Sequence, residues 1–146
     1  MHDRLLDAWV LPAEAGFFPT LVLTVRPQNE RLLNCIAHLS TSIRVRIQNL
    51  GESSREQVLN LYENSRALIF SSTSESFGLP LIGAACDLPI PASELGYVCD
   101  VVNPVATFDA DSAVSIARAV RRFLGCSGSP LAVMTATGFM ERILRP

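Results

Sequence analysis

The chain lacks the closely spaced ligand pairs from which metal sites are built. Its four cysteines, Cys35, Cys86, Cys99 and Cys126, form no C-x-x-C pair, and the one histidine close to any of them, His38 three residues after Cys35, has no second pair to complete a site. Structural zinc sites depend on such pairs, so these residues read as small buried thiols in a reducing compartment. Histidine is scarce as well: His2 and His38 belong to no partner pattern, which excludes a histidine-based acid–base pair. Charged residues make up only 18%, and 12 basic against 14 acidic side chains leave a formal charge of −2. No basic block exists beyond Arg121-Arg122, so no nucleic-acid footprint is expected. No apolar run approaches the roughly 18 residues of a membrane span. The amino terminus, Met1-His2-Asp3-Arg4, is charged, and Asp7 interrupts the run Leu5 to Val10, unlike a signal peptide. A cytoplasmic protein is expected. Internal repeats and low-complexity segments are missing too.

What is present is a globular composition: 49% hydrophobic residues in a chain of 146, enough for one domain with a core. Residues 1–18 show weak periodicity and read as a helical or irregular lead-in, with Trp9, Phe17 and Phe18 as packing residues. The domain proper is expected over 19–146. Leu21 to Val25 reads as a buried strand, and the alternation Ile43-Arg44-Val45-Arg46-Ile47 as a half-buried one. Asn29 can cap a helix with Leu32, Leu33, Ile36, Ala37 and Leu39 at helical spacing. Ser53 with Glu56 suggests a capping box for a helix reaching about Ser65, with Val58, Leu59, Leu61 and Tyr62 on its apolar face. Residues 67–71 form a third strand, 79–86 a helix, and 88–93 a strand weakened by Pro89 and Pro91. A loop over 94–104 leads to the strand 105–108. Asp109 or Asp111 then caps a helix that turns Ala113, Ile116, Ala117, Val120 and Leu124 inward. Gly125 to Pro130 breaks it before a last helix over 131–144. Alternating strands and helices with short connections imply an α/β fold, a Rossmann-like open parallel sheet of about five strands with helices on both faces.

One stretch stands out from this scaffold. Residues 71–84 run Ser-Ser-Thr-Ser-Glu-Ser-Phe-Gly-Leu-Pro-Leu-Ile-Gly-Ala, a polar turn between a buried strand and a helix start. Open α/β sheets bind ligands at the carboxyl ends of their strands. A helix start offers free N–H groups and favours negative charge there, so an anionic small ligand is compatible with the weak net charge. That rim would gather Arg26, Gly51 and the turn around Glu75, with Ser71 and Ser72 lining the pocket.

From about Pro19 to Leu124 the chain resembles the carboxyl-terminal, donor-binding domain of retaining glycosyltransferases of the GT-B fold, the group 1 type with two Rossmann-like domains. The resemblance is carried by Leu61-Tyr62-Glu63-Asn64-Ser65-Arg66-Ala67-Leu68-Ile69-Phe70-Ser71-Ser72 and by Glu75-Ser76-Phe77-Gly78-Leu79-Pro80-Leu81-Ile82. Pro91-Ala92-Ser93 and Ala106-Thr107-Phe108-Asp109 add weaker similarity. It implies transfer of a sugar from a nucleotide donor, such as a UDP- or GDP-sugar, to a glycan or lipid-linked acceptor in polysaccharide assembly. No metal or other cofactor is implied. Glu75 would contact the donor sugar, and the amides of Ser76, Phe77, Gly78 and Leu79 would face the sugar and diphosphate. Fixed dipoles there stabilise charge that grows on the leaving diphosphate.

The sequence also departs from the family. A second glutamate, which holds the nucleotide ribose, would fall at residue 83, and glycine stands there. Losing it weakens binding by about 1.5–3 kcal/mol, the worth of a hydrogen bond to a charged group. The resemblance begins at the domain's second strand, so the first strand with its basic pair is expected to be absent, unless Arg26 and Arg31 are that pair. The amino-terminal acceptor domain is expected to be absent as well. Gly96 and Cys99 stand where polar or charged residues belong beside a donor site. Two other readings follow: a truncated, non-catalytic relative that binds nucleotide weakly or only contacts a partner, and an unrelated doubly wound domain. An exposed interdomain face would suit a partner chain or a homodimer. Calorimetric titration with UDP, GDP and ADP should show Gly83→Glu binding one of them about tenfold tighter than the parent chain, roughly 1.4 kcal/mol; equal affinities would remove residue 83 from the ribose site.

Overall fold

Short parallel strands alternate with helices along the chain. The computed structural model describes residues 2–14, 16–43, 45–73 and 88–125. The expected helices over 79–86 and 131–144, with Cys86 and Cys126, lie outside them. In order the elements are α1 (His2–Glu14), β1 (Leu21–Leu23), α2 (Glu30–Ser42), β2 (Ile47–Asn49), α3 (Arg55–Glu63), β3 (Pro91–Ser93), α4 (Gly96–Val101), β4 (Ala106–Phe108) and α5 (Ala113–Phe123). β1 pairs in parallel with β2, Leu21 opposite Ile47. β3 pairs in parallel with β4, Pro91 opposite Ala106. A further parallel bridge joins Phe70 to Ala92, so the segment 68–70 lies along the other edge of β3. The α/β class expected from the sequence is therefore present.

The lead-in is a helix with a deeply buried face. Leu5, Leu6, Ala8, Trp9 and Ala13 of α1 all lie in the main core, and α1 packs chiefly on α5 and less on α2. The Trp9 indole N–H donates to the Pro19 carbonyl at 3.0 Å, which fastens the chain leaving α1 back onto it. α2 adds Leu32, Ile36 and Leu39 to this core, β1 adds Leu21, and α5 adds Ile116, Ala117, Ala119 and Val120. Asn29 caps α2 as expected, its side chain accepting from the Leu32 N–H. Ala37 faces outward. A second, smaller cluster joins Phe70, Ile90, Ala92 and Val98, with Tyr62 packed against it. Burial there pushes the Tyr62 phenol above its ordinary value. Whatever stability the neutral phenol adds is thus complete below that ordinary value and lost only as alkali ionises it.

Several boundaries differ from the sequence expectation. α2 runs on through Ser42, so the second strand forms over Ile47–Asn49 and not over 43–47; its first ladder bond runs from the Leu21 N–H to the Arg46 carbonyl at 2.9 Å. The capping box of α3 is Ser54 with Gln57, one position beyond Ser53 and Glu56. Ser54 has extended backbone and a hydroxyl that accepts from the N–H of Gln57, while the Ser53 hydroxyl donates back to the Gly51 carbonyl at 3.5 Å. Leu59, expected inward, is 45% exposed. The expected loop 94–104 contains α4, which has no side-chain cap and therefore carries no polar start signal. Its Val98 is fully buried. Ser112 caps α5, accepting from the Ser115 N–H; Asp109 instead accepts from the Asp111 N–H at 2.9 Å, closing a turn ahead of the helix.

Leu6 is 1% exposed in the main core, whereas Leu59 stands largely in solvent. Leu6→Ala is expected to destabilise the fold by about 2–5 kcal/mol and Leu59→Ala by well under 1 kcal/mol. Urea unfolding of both variants checks this, and equal midpoints would mean that α1 is not integral to the core.

Candidate functional site

The carboxyl ends of β1 and β2 form the first part of the candidate rim. The backbone ladder between them ends where the Leu50 N–H donates to the Leu23 carbonyl at 2.8 Å. Beyond that point the side chain of Asn49 takes over. Its Oδ1 accepts from the N–H of Val25 at 2.8 Å and from that of Gly51 at 3.3 Å. Its Nδ2 donates to the Val25 carbonyl at 3.1 Å. Val25 is buried, and an unpaired buried peptide group costs about 1–3 kcal/mol, so the amide side chain supplies what the strand no longer does. Gly51 turns the chain with φ of 69°, and a Cβ there would meet nothing within 4 Å. The glycine is needed for its left-handed backbone and not for space. Arg26 follows directly, its Nε 3.8 Å from Oε1 of Glu52, with the side chains 74% and 70% exposed. Such an open pair contributes about 0–1 kcal/mol and yields readily to another anion. Arg31, the other cation expected here, pairs with Asp3 of α1 at 3.4 Å.

The second part lies at the ends of the segment 68–70, β3 and β4. Phe70 is bracketed by β3: its N–H donates to the Pro91 carbonyl at 3.0 Å and its carbonyl accepts from the Ser93 N–H at 2.9 Å. The Ser93 hydroxyl then donates to the Ser72 carbonyl at 2.7 Å. Both serines are buried, at 2% and 5% exposure, while Ser71 is half-buried. Next to them the Glu94 N–H donates to the Phe108 carbonyl at 2.9 Å. The Thr107 hydroxyl donates to Glu94 Oε1 at 3.2 Å, in solvent. Gly96 and Cys99 are exposed on α4.

The structure thus brings Arg26 and Gly51 together at one strand pair and fixes Ser72 to Ser93 at the other. Among the described residues no hydrogen bond joins the two groups. Glu75, Ser76, Phe77, Gly78, Leu79 and Gly83 lie outside the described residues. Among the described residues no group of three His, Cys, Asp or Glu is placed to hold a metal ion, and no helix is long and apolar enough to cross a membrane. An open cleft of about 320 Å³ lies at the other, amino ends of β3 and β4, lined by Leu88, Pro89, Ile90, Val101, Val102, Asn103 and Val105. Sequence reasoning missed Asn49 and Ser93. Asparagine at a strand end is a known backbone mimic, but with the strand expected over 43–47 Asn49 does not fall at a strand end.

An α/β domain with short parallel strands and a polar rim at their carboxyl ends belongs to the broad class that binds small ligands at strand ends. Within that class the chain matches the family Glycosyl transferases group 1 over residues 15–136, and it belongs to that family. The matched span takes in both parts of the rim and the 71–84 stretch, and it begins just after α1. No curated protein matches the chain. Family membership supports a glycosyltransferase function in general.

Ser93→Ala deletes the buried donor to the Ser72 carbonyl. The expected cost is about 1–3 kcal/mol in chemical denaturation; a loss below about 0.5 kcal/mol, the range of ordinary surface substitutions, would show that this hydrogen bond does not hold the strand end.

Proposed function

We infer that the chain is the donor-binding half of a retaining glycosyltransferase with the GT-B arrangement of two Rossmann-like domains. The observation that carries this reading is the family match across residues 15–136, which includes Glu75-Ser76-Phe77-Gly78-Leu79-Pro80. That motif follows a segment whose Phe70 is hydrogen-bonded to β3 on both sides, which agrees with the strand end expected ahead of it. In this reading the donor is a nucleotide-sugar such as a UDP- or GDP-sugar, and transfer to a glycan or lipid-linked acceptor needs no metal. Glu75 faces the sugar. The amides of residues 76–79 face the diphosphate, where they stabilise the charge of the departing nucleotide. Ser71 and Ser72 line the approach, and Arg26 and Gly51 stand at the nucleotide end. The acceptor is held by another domain, a partner chain or a second copy apposed to the same face.

Gly83 favours a second reading, in which the domain has kept its fold and lost its transferase activity. A ribose held without that carboxylate is held weakly, and the 146 residues would then serve as a low-affinity nucleotide or partner module.

The two readings separate on Glu75. In calorimetric titrations with UDP and UDP-sugars, Glu75→Gln should leave UDP affinity unchanged and weaken the sugar nucleotide about tenfold or more, the loss of one charge-assisted hydrogen bond. Equal losses for both ligands would take Glu75 away from the sugar. Wild-type chain that binds no nucleotide at all would overturn the donor-site reading.

A further inference from the structure

The rim at β1 and β2 has a feature that neither the family motif nor the 71–84 stretch supplies. Arg26 and Gly51 are on different loops, and the backbone ladder ends before either of them. Besides the open Arg26–Glu52 ion pair, one side chain hydrogen-bonds across the loops among the described residues. Asn49 Oδ1 accepts from Gly51 in its own loop and from Val25 across the gap, and Nδ2 returns a bond to the Val25 carbonyl. An amide bonded to both the N–H and the carbonyl of Val25 holds the two peptide groups that flank its Cα, and the second of these leads into Arg26. Among the described residues the guanidinium is tethered by Glu52 alone, through an exposed contact of 3.8 Å, so its position depends on where the backbone at Val25 is held.

We propose that Asn49 is a positioning residue for the nucleotide: it holds the Arg26 loop against the Gly51 loop so that Arg26 is presented to an anionic ligand beside the Gly51 turn. Glu52 occupies the guanidinium until that ligand arrives and is displaced by it. The role rests on the nucleotide-binding reading above, although the clamp itself does not. A purely structural Asn49 would satisfy Val25 and have no special dealings with Arg26. A positioning Asn49 acts through Arg26, and the two residues are then energetically coupled.

The test combines a double-mutant cycle with amide exchange. Titration with UDP, GDP and ADP follows wild type, Asn49→Ala, Arg26→Ala and the double variant. Arg26→Ala should weaken binding about tenfold, the scale of a hydrogen bond to a charged group, and Asn49→Ala several-fold and by no more than Arg26→Ala. In the double variant the loss should be no greater than in Arg26→Ala. Additive losses, or wild-type affinity in Asn49→Ala, overturn the positioning role. Hydrogen exchange reads the clamp without ligand. The Val25 and Gly51 amides should lose protection in Asn49→Ala and keep it in Asn49→Asp, which retains the acceptor, while core amides such as Ile36 remain protected in both. Unchanged protection at Val25 and Gly51 in Asn49→Ala overturns the clamp. Wild-type chain that binds none of the three nucleotides is a separate result: it overturns the functional reading and with it any nucleotide role for Asn49, and leaves the clamp to be judged by exchange alone.

Discussion

The dominant constraint in this fold is the shortness of its parallel strands. Each named strand has only three residues, so few backbone hydrogen bonds join any pair, and parallel pairing is the weaker kind. Two consequences follow. Stability comes from helices packed over the strands, above all from α1 and α5, whose buried faces meet in the main core. At the strand ends, where peptide groups would otherwise go unpaired, side chains continue the pattern: Asn49 at β2 and Ser93 at β3. These ends are also the rim where an α/β domain holds its ligand. The groups that finish the sheet and the groups that shape the site are thus the same residues or immediate neighbours.

Local chemistry made much of the fold readable from the sequence. Asn29, the apolar spacing of Leu32, Ile36 and Leu39, and the inward face of Ile116, Ala117 and Val120 each signal their element directly, because capping and amphipathic burial act within a few residues. Where two local signals competed, tertiary context decided. Ser53 with Glu56 and Ser54 with Gln57 offer equivalent boxes, and the second forms while the Ser53 hydroxyl turns back to Gly51. Val45 and Ile47 alternate as a strand should, yet ladder bonds begin at Arg46. Pairing depends on a partner strand some 25 residues away, and alternation alone cannot locate its start. α4 was invisible because it is short, starts at a glycine and lacks a polar cap. α1 was underrated because its burial is set by α5, more than a hundred residues further on.

The site was legible in a different way. The 71–84 stretch is recognisable because its chemistry is written in consecutive residues. The other half of the rim is assembled from separated segments, so the bonds made by Asn49 and Ser93 emerge only from geometry, although Ser93 stands in the short segment Pro91-Ala92-Ser93 that resembles the family. The charge balance of the rim has the same character. An arginine next to an acidic neighbour looks neutral in composition, yet the Arg26–Glu52 contact is so open that the cation remains available to a stronger anion.

Pro91 opens β3 and has no N–H, so it cannot return a bond to the Leu68 carbonyl, although Leu68 donates to Pro89 just ahead of β3 and Phe70 to Pro91 at its start. Ser93 restores the exchange further along, with its backbone N–H on Phe70 and its hydroxyl on Ser72. The seam between this segment and β3 is therefore fastened unevenly. It is sparse where the chain enters and doubled where the chain leaves. A pull on the entering end would open the seam like a zip stopped at Ser93, and the last residues to part would be Ser71 and Ser72.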